Sequence, residues 1–128
     1  MKVPKIGLLI CNSGSSNSGT LTGIAAMQVI KEFSSDLVGI CSLPALANEI
    51  PRQVLTVKNL EHLMVIDGCS NSCAKKVAEK LGLSYGAYMN LEHDFQIKKL
   101  GPFSTLRYSG EEVKQVTEAI KERVKQFG

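Results

Sequence analysis

Two runs of almost uninterrupted apolar residues place the strongest constraint on the fold of this chain. The first, IGLLIC, spans residues 6–11, and the second, LMVID, spans residues 63–67. A strand with one solvated face alternates apolar and polar residues, whereas a continuous apolar run is typical of a strand covered by helices on both faces. The two runs therefore predict strands of a parallel sheet in an α/β protein, with the first strand near its centre.

Shorter β-rich runs and segments of helical periodicity complete the pattern. Strands are predicted at residues 5–11, 37–41, 63–67 and 86–91. Helices are predicted at residues 18–33, with Ser18 or Thr20 as N-cap, at residues 74–81, ending at Gly82, and at residues 110–127. Between Pro44 and Pro51 the pattern is broken, and a short helix is expected only near residues 52–58. The sequence predicts one three-layer domain over residues 1–128, with a four-stranded, mostly parallel sheet and flanking helices, as in Rossmann-like and flavodoxin-like proteins.

Composition limits the classes of partner and the compartment. The net charge of +3 comes from dispersed residues, and aromatic residues make up only 5% of the chain, so neither a nucleic-acid nor a membrane partner is expected. The apolar run at residues 6–11 is too short for the core of a signal peptide. We expect a cytoplasmic protein, in which thiols stay reduced and spaced cysteines are metal ligands or redox groups rather than disulfides.

All four cysteines fall at the carboxyl ends of predicted strands. Cys11 ends the first strand, Cys41 ends the second, Cys69 follows the third, and Cys73 lies one helical turn further on. Because the carboxyl ends of parallel strands meet at one edge, the topology brings these thiols together. Four thiols match the tetrahedral sulfur coordination of Zn²⁺. The predicted helix N-terminus also favours thiolates at the last two cysteines.

The residues around the close cysteine pair have predicted shaping roles. Asp67 is placed to accept hydrogen bonds from N–H groups of the cysteine turn, and Gly68 allows the backbone to bend there without a Cβ clash. After the fourth strand, Glu92, His93 and Asp94 reach the same edge. His93 and Asp94 are candidates to orient a ligand or to act as an acid or base, and a polar surface turn that only ends the strand is the alternative. His62 precedes the third strand and is predicted to lie at the opposite edge.

The stretch DGCSNSC, residues 67–73, resembles the DGC domain family, small proteins with four shared cysteines to which zinc binding is ascribed. The resemblance extends over the full chain. It includes Cys11 in CNSGS, Cys41 in the run that leads to LPAL, and the pair in DGCSNSCAKK. Membership in this family implies metal binding, with zinc as the expected ion, and implies no established reaction.

A serine-rich loop after the first strand is a second candidate feature. Ser13, Gly14, Ser15 and Ser16 lead into a helix N-terminus, a design that can hold a small anion through backbone N–H groups. The loop is similar to that of low-molecular-weight phosphatases and arsenate reductases, but it lacks the arginine that those loops use to clamp an oxyanion. No Walker lysine follows it. The alternative to anion binding is a turn that only connects the first strand to a capped helix.

The sequence thus predicts a four-cysteine metal site with a structural or metal-carrying role and leaves its alternatives open. Iron or an iron–sulfur cluster could occupy the same ligands. The same cysteines could instead serve a redox, persulfide or metalloid-handling enzyme, with a small anion or thiol as partner. They could also be core residues of an interaction module. The segment of residues 95–110 has no clean periodicity, and it could be a lid or a surface excursion.

Overall fold

A computed structural model describes residues 3–127 of the chain. Its sheet contains four parallel strands in the order β2-β1-β3-β4. These are β1 (Ile6–Ile10), β2 (Val38–Ile40), β3 (His62–Asp67) and β4 (Ala87–Asn90). Every residue of β1 is buried, and β3 is buried at all positions after its first. The prediction that the two apolar runs form central strands is confirmed.

Helices cover both faces of the sheet and complete the three layers. On one face, α1 (Asn17–Phe33) and α6 (Gly110–Gln126) share an apolar cluster with the sheet. On the other face lie α2 (Leu43–Ala47), α3 (Pro51–Lys58) and α4 (Cys73–Lys80). A further short helix, α5 (Leu91–Phe95), follows β4 directly. None of the helices within residues 3–127 is both long and apolar enough to cross a lipid bilayer.

The predicted α1 started too late, and α2 was missed. Ser16 caps α1, because its backbone is extended and its hydroxyl accepts a hydrogen bond from the Gly19 N–H at 3.2 Å; the choice of Ser18 or Thr20 was wrong. Pro44 lies in the first turn of α2, where a missing N–H has no helical partner to lose, so the proline starts this helix rather than breaking it. The expected helix near residues 52–58 is confirmed as α3.

His62 lies at the amino-terminal edge of the sheet, as predicted. It opens β3 and stacks on the ring of Phe127, with 4.8 Å between ring centroids. This stacking joins the end of the last helix to the edge opposite the cysteines. His62 therefore takes no part in the site described below.

Candidate functional site

The cysteines lie at the point where the chain leaves two adjacent central strands toward opposite faces. After β1 the chain enters α1 on one face, and after β3 it enters α4 on the other. Such a switch point opens a crevice at the carboxyl edge of a parallel sheet, where ligands of α/β proteins bind. Cys11 directly follows β1, and its N–H donates to the Ile66 carbonyl at 3.0 Å. Cys69 follows β3 by two residues.

A cavity of about 290 Å³ occupies this crevice, and three of the four cysteines line it. Cys11 and Cys69 are half-buried in its wall, whereas Cys73 is exposed at the start of α4. The remaining wall includes Asp67, Lys99 and five serines, namely Ser13, Ser15, Ser16, Ser18 and Ser72. The switch point therefore presents thiols, hydroxyls and one amine to a common space.

Cys41 lies beside this cavity rather than in it. It follows β2 and packs on the same apolar cluster as Cys11, and the two cysteines border a neighbouring hollow of about 330 Å³. The Cys41 sulfur is turned toward Gly7, where an added Cβ would lie 2.9 Å from it. Within residues 3–127, no group of three or more His, Cys, Asp or Glu side chains is assembled as a metal-ion site. The donors match a thiophilic metal in kind, and the four-thiol centre stays a prediction.

The Cys11 sulfur has three hydrogen-bond partners. The N–H groups of Ser13 and Gly68 point to it, and the Thr22 hydroxyl lies 3.8 Å away. Burial raises the pKa of the Cys11 thiol, and the Asp67 carboxylate adds to this effect; the hydrogen bonds with Ser13, Gly68 and Thr22 act in the opposite direction. Burial also raises the pKa of Cys41, to about 11. Both half-buried thiols are thus held protonated unless a bound cation compensates the negative charge of the thiolate.

Asp67 fastens the cysteine turn to α4. Its carboxylate accepts hydrogen bonds from the N–H groups of Ala74 at 2.7 Å and Lys75 at 3.0 Å, and from the Tyr88 hydroxyl at 3.0 Å. It replaces the usual cap, because Ser72 has a left-handed backbone and makes no capping bond. Asp67 accepts hydrogen bonds from N–H groups as expected, but these belong to the first turn of α4 and not to the loop that precedes it. However, these two N–H groups of the helix are engaged by Asp67 and are not free for the thiols.

Gly68 permits the close approach of the cysteine turn to α1. A Cβ at this position would lie 2.7 Å from the carbonyl carbon and oxygen of Ser18 and 2.9 Å from the nitrogen of Gly19. All of these atoms belong to the backbone of the first turn of α1. The glycine is required by this contact between two chain segments, in addition to the bend that the sequence suggested.

Asn90 and Glu92 hold the other side of the cysteine turn. The Asn90 amide donates to the Cys69 carbonyl at 2.9 Å, and the Glu92 carboxylate accepts from the Ser70 N–H at 2.9 Å. The predicted partners His93 and Asp94 do not line the cavity: His93 is exposed, and Asp94 accepts a hydrogen bond from the Asn90 N–H. Sequence reasoning missed Asn90. The register of the two strands could have indicated its role, because Asn90 pairs with Asp67 across β3 and β4.

The irregular segment after α5 is fastened to the rim of the cavity. The buried side chain of Asn17 donates to the Lys98 carbonyl at 3.0 Å and accepts from the Leu100 N–H at 2.9 Å. The Asn17 N–H donates to the Ser104 hydroxyl at 3.0 Å. Lys99 lies between these anchored residues and is one of the residues that line the cavity. The segment is therefore part of the site wall.

The serine-rich loop contributes three of its four predicted residues to the cavity. Ser13, Ser15 and Ser16 line it, with 3.1 Å between the Ser13 and Ser15 hydroxyl oxygens. Gly14 lies outside the lining, and its carbonyl accepts a hydrogen bond from the Thr105 hydroxyl. The loop is thus connected both to the thiols and to the anchored segment.

This architecture defines a class, the three-layer α/β proteins with a thiol-lined cavity at the switch point of a parallel sheet. The sequence model of the DGC domain family matches residues 8–120, and the chain belongs to that family. Comparisons with the curated proteins and with the solved structures gave no match.

Proposed function

We propose that this DGC domain protein binds a thiophilic metal ion, zinc in the first place, through its cysteines. The observation that carries the proposal is the lining of one cavity by Cys11, Cys69 and Cys73, which come from two different strand ends and a helix. Thiolates are the preferred ligands of Zn²⁺ and of iron–sulfur clusters. Iron in either form is the alternative occupant. Reduced thiols are a condition of the proposal, in agreement with a cytoplasmic location.

Cys41 is the proposed fourth ligand. It packs on the same face of the sheet as Cys11, and the two residues share the neighbouring hollow. Its sulfur must turn away from Gly7 to join the other three. A site closed by four thiolates has no position left for water or substrate, so we assign the metal a structural or carried role rather than a catalytic one.

Metal content tests this proposal directly. The full chain is purified anaerobically without a metal-affinity tag, and metal is measured together with titratable thiols before and after denaturation. We expect about one zinc per chain, with loss of zinc in Cys11→Ser and Cys73→Ser. Ser70→Ala is the matched control, because it alters the same turn and keeps every thiol. Visible absorbance distinguishes an iron–sulfur cluster from zinc. Absence of metal from the wild-type chain contradicts the proposal.

A thiol enzyme for redox, persulfide or metalloid chemistry is the second candidate. It is favoured by the two backbone N–H groups that point to the Cys11 sulfur, because they would stabilise the thiolate there once the thiol has lost its proton. Alkylation of the metal-free chain separates the two candidates. A nucleophilic cysteine reacts much faster than the other three whether or not metal is supplied, whereas metal ligands react only after a chelator removes the ion.

A further inference from the structure

One buried side chain determines where Lys99 lies. The Asn17 amide binds the carbonyl before Lys99 and the N–H after it, at 3.0 Å and 2.9 Å. Asn17 is only 2% exposed, and Ser104 binds both its backbone N–H and its side-chain oxygen, at 3.0 Å and 3.3 Å. A buried amide that uses both of its polar ends in this way fixes a backbone segment. Lys99 is therefore held over the cavity by α1 itself.

Lys99 has no protein anion to neutralise it in the part of the chain that the structure describes. The ion pairs found there involve Lys121 and Lys125 instead. Asp67, the one acidic residue among those that line the cavity, is occupied by two backbone N–H groups and the Tyr88 hydroxyl. Lys99, a half-buried residue, thus lines the cavity together with the serines and cysteines.

We propose that the cavity recognises a small ligand bearing an oxyanion group, carboxylate or phosphate, through Lys99. The amine supplies the charge, and the exposed hydroxyls of Ser13 and Ser15 supply hydrogen-bond donors on the same wall. A volume of about 290 Å³ limits the ligand to a small molecule. The inference rests on the proposed function in one respect, because it takes the three cavity thiols as the groups that the ligand approaches.

The electrostatic effect of Lys99 on these thiols can be measured with two alkylating reagents that differ in charge. Iodoacetate and iodoacetamide are nearly equal in size and differ in charge. With each, a thiolate that has lost its proton to solvent forms a C–S bond as the C–I bond breaks and iodide leaves with the electron pair. Both reagents react with the same thiolate, so the ratio of their rates is independent of how much thiolate is present. Peptide mapping of the metal-free chain gives this ratio for each cysteine.

We expect Lys99→Ala to lower the iodoacetate-to-iodoacetamide ratio at Cys69 and Cys73 by about two- to fourfold, the Coulomb effect of removing one unit charge from the wall of the same small cavity in a water-like medium. The change should shrink in concentrated salt. Lys98→Ala is the matched control, since it removes an adjacent exposed lysine and keeps the carbonyl that Asn17 binds. Lys99→Arg should retain the wild-type ratio. Equal ratios in the wild-type, Lys98→Ala and Lys99→Ala proteins overturn the inference.

Anion binding is then followed by nuclear magnetic resonance on the wild-type full chain, with inorganic phosphate and acetate as separate probes. Saturable shifts of the Ser13 and Ser15 amide signals, lost in Lys99→Ala and kept in Lys98→Ala, support the inference and show which oxyanion is preferred. No saturable shift with either probe refutes it. Both experiments use metal-free protein, so absence of zinc from the native chain leaves their outcome unaffected. Conversely, if the protein binds zinc but the iodoacetate-to-iodoacetamide ratios are unchanged in Lys99→Ala, the inference about Lys99 is wrong and the proposed metal binding stands.

Discussion

Replacement of Gly68 by alanine should destabilise the fold measurably, because the new Cβ meets backbone rather than a movable side chain. It would lie 2.7 Å from the carbonyl group of Ser18 and 2.9 Å from the nitrogen of Gly19. Relief requires displacement of the cysteine turn or of the first turn of α1, and that turn is fixed by the Ser16 cap. Overpacking of this kind costs about 3 kcal/mol at the upper end of its usual range. The reduced freedom of the unfolded chain offsets up to about 1 kcal/mol.

The net expectation for Gly68→Ala is a loss of about 2 kcal/mol in the free energy of unfolding, or about 8 °C in Tm for a chain of this length. Urea unfolding followed by circular dichroism measures it. Gly14→Ala is the control, because no atom outside Gly14 and its two chain neighbours lies within 4 Å of the added Cβ. That variant should be neutral or gain a few tenths of a kcal/mol. If Gly68→Ala unfolds within about 0.5 kcal/mol of Gly14→Ala, the close-contact explanation is wrong.

Three further changes test other parts of the site. Asp67→Asn should lose about 2 kcal/mol in urea unfolding, since a charged acceptor of three hydrogen bonds is replaced by a neutral amide; Asp94→Asn should lose about half as much. In metal-free protein at neutral pH, Cys41 should react with iodoacetamide about 100-fold more slowly than a free peptide cysteine, because its pKa of about 11 leaves that much less thiolate. Asn17→Ala should raise the rate of amide hydrogen exchange over residues 98–104 at least tenfold, which corresponds to a loss of about 1.4 kcal/mol in the free energy of local opening.

Each of these predictions has a result that contradicts it. Equal losses in the free energy of unfolding for the two aspartate variants would mean that capping of α4 by Asp67 adds no more stability than a single side-chain hydrogen bond. A rapid reaction at Cys41 would mean that its burial is not maintained in solution. Its raised pKa also fixes the sign of a pH effect: the protonated thiol stabilises the metal-free fold below about pH 9, and this contribution is lost as the pH rises toward 11. Unchanged exchange in Asn17→Ala would show that Ser104 alone fastens the segment.

The central sheet was predictable because its strands are specified by their own composition. In residues 6–10 and 63–67, polar residues do not alternate with apolar ones, and this pattern is typical of a strand covered on both faces. The parallel arrangement of the strands then brings three strand ends to one edge. The short helices were harder. α2 and α5 have five residues each, too few to show a period, and they depend on the caps Ser42 and Asn90.

The details of the site depended on tertiary contacts that no local pattern carries. The direction of the Cys41 sulfur is a side-chain rotation beside a glycine on another strand. The position of Lys99 is set by Asn17, which lies 82 residues earlier in the chain. A polar residue at the first position of a helix predicts a capping role rather than a distant anchor. These contacts appear only when the whole sheet is assembled.

The position of α6 has a consequence for how the protein is made. Its apolar side chains, Val116, Ile120 and Val124, complete the cluster that α1 begins. All the cavity residues are synthesised earlier, because the last of them in the chain is Lys99. A nascent chain that has emerged through residue 105 therefore carries every thiol of the site while one face of α1 lacks its cover. During this interval the chain is expected to need protection from aggregation and from thiol oxidation.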